Sequence, residues 1–204
     1  MARLRKAVRD ESIAETRRRL LEAAVTEFAS EGYVGANINN ISQAAGFAKG
    51  TIYNHFPCKR DLMLTLIDEI AADHIRCIVQ QTESEQSPSQ RLMRFFSAGF
   101  AFIESHPARA RLIVNALYGP DDDLRARVYQ AYDRLFGLIT HDIVETGIAQ
   151  GEFRTVEGNF ATALVMAIYL GGSSLLESNG KIWLDPDKVA TFVLDGLRPR
   201  ENAR

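Results

Sequence analysis

Residues 37–59 read Asn-Ile-Asn-Asn-Ile-Ser-Gln-Ala-Ala-Gly-Phe-Ala-Lys-Gly-Thr-Ile-Tyr-Asn-His-Phe-Pro-Cys-Lys. Ile38, Ile41, Ala44 and Ala45 fall at helical spacing. Asn37 stands before that run, where its short polar side chain caps a helix. Gly46 stops it, because glycine tolerates the left-handed conformation a helix end requires. A second short helix is expected from about Ala48, carrying Ile52, Tyr53 and Phe56. Pro57 ends it, since the residue before a proline avoids helical angles. Two short helices around a tight glycine turn make a helix-turn-helix, whose second helix enters a DNA major groove.

The polar residues of this stretch suit that role. Lys49 and Lys59 flank the second helix and neutralise phosphates. Gly50 lets the helix N-terminus approach a phosphate backbone with its free N–H groups. Thr51, Tyr53, Asn54 and His55 carry hydrogen-bonding groups for phosphates and base edges. By itself the pattern is weak, because a helical hairpin with a polar face looks the same.

The flanking sequence adds specificity. Glu31-Gly32-Tyr33, Ile41, Ala44-Ala45-Gly46, Lys49-Gly50-Thr51-Ile52-Tyr53, His55-Phe56, Lys59 and Leu62 stand in one register. That register resembles the N-terminal domain of TetR/AcrR-type transcriptional regulators over residues 13–66. The resemblance implies an all-α fold of about nine helices. In that fold a three-helix helix-turn-helix domain (1–58) precedes a helical ligand-binding and dimerisation domain (59–204). It places Asn37, Asn39, Ala48, Lys49, Gly50, Thr51, Tyr53, Asn54, His55 and Lys59 at DNA-contact positions. Two residues depart from the family's habit. Ala48 stands where Ser or Thr is frequent, and Cys58 where Ser or Asn is frequent.

The charge distribution agrees with a local DNA face. The 204-residue chain has a net charge of −2. Residues 1–60 carry 10 Lys and Arg against 6 Asp and Glu, and residues 61–204 carry 14 against 20. A basic first part on an acidic body localises the attraction to nucleic acid. Hydrophobic residues make up 46% and charged residues 25%, as in ordinary soluble proteins. The charged N-terminus lacks the apolar segment of a secretory signal. The longest apolar run, 163–172, falls short of the roughly 20 residues of a membrane helix. Cys58 and Cys77 have no metal-type spacing. These features predict a cytoplasmic protein that has no membrane partner and is not an enzyme.

The rest of the chain reads as helices in series. Residues 1–11, with Arg3, Arg5, Lys6 and Arg9, are expected as a frayed basic arm. Helix 1 is expected from Ser12, capped with Glu15, to Ser30. A long helix 4 is expected from Lys59 to Gln80 along Leu62, Leu66, Ile70 and Ile78, linking the two domains. Ser87-Pro88 opens helix 5, which ends before Pro107. Helix 6 spans 108–117. Asp121 to Asp123 supply a negative start for helix 7, expected unbroken to Gln150. Helix 8 (156–178) is apolar all round from Phe160 to Leu170 apart from Thr162, and Gly171, Gly172, Ser173 and Ser174 follow. Asp185-Pro186 opens helix 9. An all-round apolar helix needs a second covering surface. That predicts a homodimer through helices 8 and 9.

No catalytic, metal or cofactor motif emerges. His55, His74, His106 and His141 show no ligand spacing, and a helix start explains Asp121 to Asp123 better than a metal. Helices 5 to 8 are rich in aromatics. Phe96, Phe100, Tyr132, Phe136 and Tyr169 are candidate walls of a pocket for a small hydrophobic or aromatic ligand. His106 and Asn115 are candidates to orient its polar end. A solid core remains the alternative. The sequence thus predicts a dimeric regulator that binds a near-palindromic operator, a repressor released by such a ligand. The alternative is a DNA-binding dimer without an inducer.

Overall fold

The computed structural model describes residues 2–175 and 180–199, and side chains from residue 11 onward. The chain is all-helical, with an isolated bridge at Ile182 but no strand among the described residues. Taking Asp122–Ala149 as one interrupted helix and counting a four-residue 3-10 turn, the described residues form nine helices.

The chain separates into two compact units. The first comprises Met1–Ile70 and Ala108–Val128. Here α1 (Ala2–Gly35) is followed by α2 (Ile38–Ala44), a 3-10 turn (Thr51–Asn54) and the N-terminal half of α3 (Lys59–Thr82). Its second piece holds most of α5 (Pro107–Tyr118) and of α6 (Asp122–Ala131). Leu20, Ala24 and Phe28 of α1 are buried, four residues apart along one stripe, with Ile41, Ile52, Phe56, Leu62 and Leu66. Ion pairs stitch the two pieces: Arg60 reaches Asp123 at 2.6 Å and Asp121 at 3.5 Å, and Arg127 pairs with Asp68.

Three expectations for this unit are corrected. The basic segment 2–11 is helical rather than a frayed arm, so α1 begins at Ala2. It holds neither proline nor glycine and is rich in Ala, Leu, Arg and Lys, all good helix formers. Ser12 therefore caps nothing. Its carbonyl lies inside the helix and accepts Thr16 Oγ1 at 2.9 Å, while Glu15 pairs with Arg18. Third, the second helix of the motif is a 3-10 turn, not an α-helix. Tyr53 N bonds Gly50 O and His55 N bonds Ile52 O, both three residues back. The expected break at Glu31-Gly32-Tyr33 is present: Gly32 has φ 68° and ψ 177°, and only a short last turn follows.

The second unit comprises Ala71–Pro107 and Tyr129–Arg204. It takes the C-terminal half of α3, then α4 (Pro88–Ser105), α7 (Asp133–Gly137), a π-helical segment (Leu138–Glu145), α8 (Thr146–Ala149), α9 (Gly158–Ser173) and α10 (Pro186–Leu197). Leu92, Phe95, Phe96, Leu135, Ile139, Ile143 and Ala190 are wholly buried. Ser87-Pro88 starts α4 as expected. A distant carboxylate completes the cap: Glu152 accepts from Ser87 Oγ, Ser89 Oγ and Ser89 N at 2.6 to 3.1 Å. Asp185 caps α10 through the N–H groups of Asp187 and Lys188.

The expected helix 7 is not continuous. It breaks at Tyr132 (φ −97°, ψ 4°), whose carbonyl accepts Leu135 N in a tight turn, then widens into the π-helical segment. Hydroxyls compete for the ladder there. Thr140 donates to Phe136 O, and Thr146 donates to His141 O five residues back. The expected helix 8 is shorter than predicted. α9 runs from Gly158, capped by Glu157, to Ser173, and residues 176–179 lie outside the described residues.

Candidate nucleic-acid interface

The helix-turn-helix is held from both ends. Glu27 Oε1 on α1 accepts Asn37 N at 2.8 Å and Asn40 Nδ2 at 3.3 Å. A carboxylate thus sits at the positive end of α2. Asn37 Oδ1 accepts Asn39 N at 2.9 Å, the N-cap that the sequence predicts. At the other end Gly46 adopts φ 80°. A Cβ there would also lie 2.7 Å from Arg19 Nη2. That same nitrogen donates to Ala45 O at 2.7 Å, and the guanidinium covers the Phe47 ring at 4.8 Å. Glycine is favoured at 46 by its backbone angle, and a Cβ there would also push aside the tip of Arg19.

Beyond the turn, Ile52 and Phe56 are buried four residues apart and anchor the 3-10 turn. Arg17 lies over the Phe56 ring at 4.6 Å. The anchored backbone leaves its polar residues outward. Asn37, Asn39, Ala48, Lys49, Gly50, Tyr53 and Asn54 are exposed, and Thr51 and His55 are half-buried. Tyr53 is 55% exposed. Lysine, phenol, amide and hydroxyl groups together offer one point charge and several donors and acceptors.

Lys59 differs from the others. Its Nζ donates to Ala36 O at 2.7 Å and to Val34 O at 3.0 Å, at the C-terminal end of α1. Its charge thus caps a helix end and lies 5.2 Å from the Tyr33 ring. Sequence reasoning missed Arg19 and Glu27, the two residues that fix this motif to α1.

In the second unit, Phe96, Phe100 and Tyr169 join Phe95 in one cluster. Ring centroids lie 4.8 Å (Phe95–Tyr169), 5.5 Å (Phe100–Tyr169) and 6.0 Å (Phe96–Phe100) apart. Tyr132 joins through His74, whose ring stacks on Phe102 at 4.4 Å. Phe136 is half-buried. His106 is exposed, its ring 4.6 Å from that of Phe102. Asn115 is exposed and belongs to the first unit, so the candidate set does not assemble as one group. The acidic run is a helix start: Asp121 Oδ1 accepts the N–H groups of Asp123 and Leu124.

An exposed polar turn anchored by an isoleucine and a phenylalanine, behind a capped short helix, defines a helix-turn-helix protein. Residues 20–66 match the family model for bacterial regulatory proteins of the tetR family. The HTH-type transcriptional activator FasR of Mycolicibacterium smegmatis is 31% identical over 132 residues, which is 63% of this chain and 60% of FasR. The match therefore spans less than two thirds of that relative. The HTH-type transcriptional repressor KstR2 of the same organism is 26% identical over 69% of each chain. Among solved structures, FadR from Bacillus subtilis in complex with stearoyl-CoA superposes with a TM-score of 0.76 at 21% identity. That match covers 87% of this chain and 95% of FadR. A tetR-family regulatory protein from Rhodococcus RHA1 gives 0.76 at 19%, covering 91% and 98%. These likenesses establish the fold.

Proposed function

We propose that the chain is a sequence-specific DNA-binding transcriptional regulator, a repressor released from its operator by a small hydrophobic or aromatic ligand. The observation that carries the DNA reading is the exposed set Lys49, Tyr53 and Asn54 on a turn whose Ile52 and Phe56 are fixed in the core. Residues 1–58 read DNA in this proposal, and 59–204 bind ligand and dimerise. The reading places the protein in the cytoplasm, where the operator is, and assigns it no catalysis.

The dimer forms through α9 and α10. Phe160 and Leu164 on α9 are 56% and 50% exposed, and Phe192 on α10 is 75% exposed. Phe160, Leu164 and Gly171 follow helical spacing on one outward stripe. Two such stripes related by a two-fold axis cover each other. The same axis sets two recognition turns on a near-palindromic site.

Ligand responsiveness draws support from the aromatic content of the second unit and from FadR of Bacillus subtilis, solved with stearoyl-CoA. α3 supplies residues to both units, so a ligand that favours one setting of α3 changes the spacing of the recognition elements. Ring-on-ring packing of Phe95, Phe96, Phe100 and Tyr169 favours the second reading, a regulator without an inducer.

Selection of bound sequences from random duplex DNA tests the core of the proposal. A two-fold symmetric motif should emerge, bound with an affinity that falls steeply with salt. Recovery of no enriched sequence by the folded dimer would remove the DNA-reading role.

A further inference from the structure

The first unit carries a groove of about 900 Å³, bounded by the last turns of α1, the start of α3 and the turn that joins α5 to α6. Val34 and Tyr118 line it and are 82% and 66% exposed. Glu31 and Asn115 line it too, and both are exposed. Among the described residues no side-chain hydrogen bond, ion pair or ring contact engages Glu31, Asn115 or Tyr118. One groove thus presents a carboxylate, an amide, a phenol ring and an alkyl group, all without partners.

The groove is electronegative. The carboxylates of Glu31, Asp121, Asp122 and Asp123 line it, against the one guanidinium of Arg60. Arg60 is engaged by Asp123 at 2.6 Å and Asp121 at 3.5 Å, and Arg125 pairs with Asp122 from outside the lining. Lys59 lies 5.2 Å from the Tyr33 ring and is engaged by the Val34 and Ala36 carbonyls. The three aspartates are therefore accounted for by their arginines and by the start of α6. Glu31 is not, and the C-terminal end of α5 adds partial negative charge beside Tyr118.

We propose that this groove binds an organic ammonium with an aromatic or apolar body. The ammonium pairs with Glu31, Asn115 offers an amide oxygen, and the body lies against Tyr118 and Val34. A cation set beside both a carboxylate and a phenol ring gains from each. An anion is repelled by the same carboxylates. The volume falls within the range of small-molecule sites. The ligand touches both pieces of the first unit, so it binds their closed arrangement and stabilises it by mass action. This site is separate from the hydrophobic effector proposed for the second unit, and it stands whether or not that effector exists.

Three probes with one phenylethyl body test this: 2-phenylethylammonium, 2-phenylethanol and 3-phenylpropionate. The full chain, with its tyrosine rings labelled with 13C, is titrated with each at pH 7 and low salt. The ammonium should bind about tenfold more tightly than the alcohol, the effect of one charge-assisted hydrogen bond, and the carboxylate least. Its binding should move the Tyr118 ring signals. Glu31→Gln should remove most of the preference for the ammonium, and Tyr118→Ala should weaken the ammonium and the alcohol alike. Both side chains are exposed, so the variants keep the fold. Equal binding of ammonium and alcohol, no binding of the ammonium, or full preference in Glu31→Gln would each overturn the site. Shifts at Tyr132 and Tyr169 with Tyr118 unmoved would assign the probe to the second unit instead. A peptide containing Lys and Phe that moves Tyr118 where the ammonium does not would make the groove a protein contact and overturn the small-molecule assignment.

Discussion

Gly99 on α4 lies directly against the Tyr169 hydroxyl on α9. A Cβ at Gly99 would fall 2.7 Å from Tyr169 Cε2 and closer still to the hydroxyl oxygen, inside any real carbon contact. The absent side chain is what admits the phenol to His74. Gly99→Ala should displace the Tyr169 ring and lower stability by about 1–3 kcal/mol, the usual range for overpacking. Urea unfolding checks this. Gly137→Ala is the control, because a Cβ there meets nothing within 4 Å. Equal effects in both variants would contradict the close packing.

Burial pushes the His74 imidazole down to about 4, with the Gly99 backbone opposing that shift and His106 adding to it. Below its ordinary value near 6.5 the unfolded chain takes up a proton that the folded chain refuses until about pH 4. Stability should therefore fall as pH drops through that window, by up to about 3 kcal/mol from this group. Denaturation at pH 7 and pH 4.5 should show a smaller loss in His74→Gln than in the unaltered protein. An identical loss would mean that other groups carry the acid sensitivity.

Lys49 and Lys59 should separate cleanly. Lys49 is exposed, so Lys49→Ala should weaken DNA binding across sequences and reduce the salt slope by about one unit. Lys59 already donates to Val34 and Ala36. Lys59→Met should lower stability by about 1 kcal/mol with little change in salt slope. The opposite pattern would make Lys59 the phosphate contact.

Asn37→Ala removes the acceptor for Asn39 N and should cost about 1 kcal/mol of stability. Glu27→Gln should weaken the same joint, because Glu27 binds Asn37 N and Asn40. Amide exchange across α2 is the direct readout, and unchanged protection in both variants would refute the cap.

At Gly171 an added Cβ meets nothing within 4 Å of its own chain. Gly171→Glu should therefore leave the protomer folded while burying a charge in the proposed α9–α10 interface. Sedimentation should then show a shift toward monomer with unaltered helicity. A wild-type monomer at micromolar concentration would dispose of the interface altogether.

The motif was legible because its determinants are local. Asn37, Gly46 and Pro57 punctuate it, and Ile41, Ile52 and Phe56 fill its core. The 3-10 form of the second element was not, since spacing alone does not separate one short turn from another. The break at Tyr132 carries no glycine or proline signal. It arises where a tyrosine is drawn into the core, which is a tertiary effect. One clue to His74 was present: it fills the slot between Ile70 and Ile78 on the apolar line of α3. A polar residue in such a slot must find partners, but their identity, 58 and 95 residues away, is set by the fold. Arg19 was one of three consecutive arginines, with nothing local to single it out.

The ion pairs that join Arg60 to Asp121 and Asp123, and Asp68 to Arg127, have a consequence for biosynthesis. The first unit is made of two separated pieces of chain, so it cannot close when residue 70 emerges from the ribosome. At roughly 5–20 residues per second, the intervening segment takes roughly two to seven seconds to translate. During that interval the nascent helix-turn-helix lacks the α5–α6 partner of its finished form. The order of translation thus makes the first piece of this unit wait for its second, and a slow codon run after residue 70 lengthens the wait.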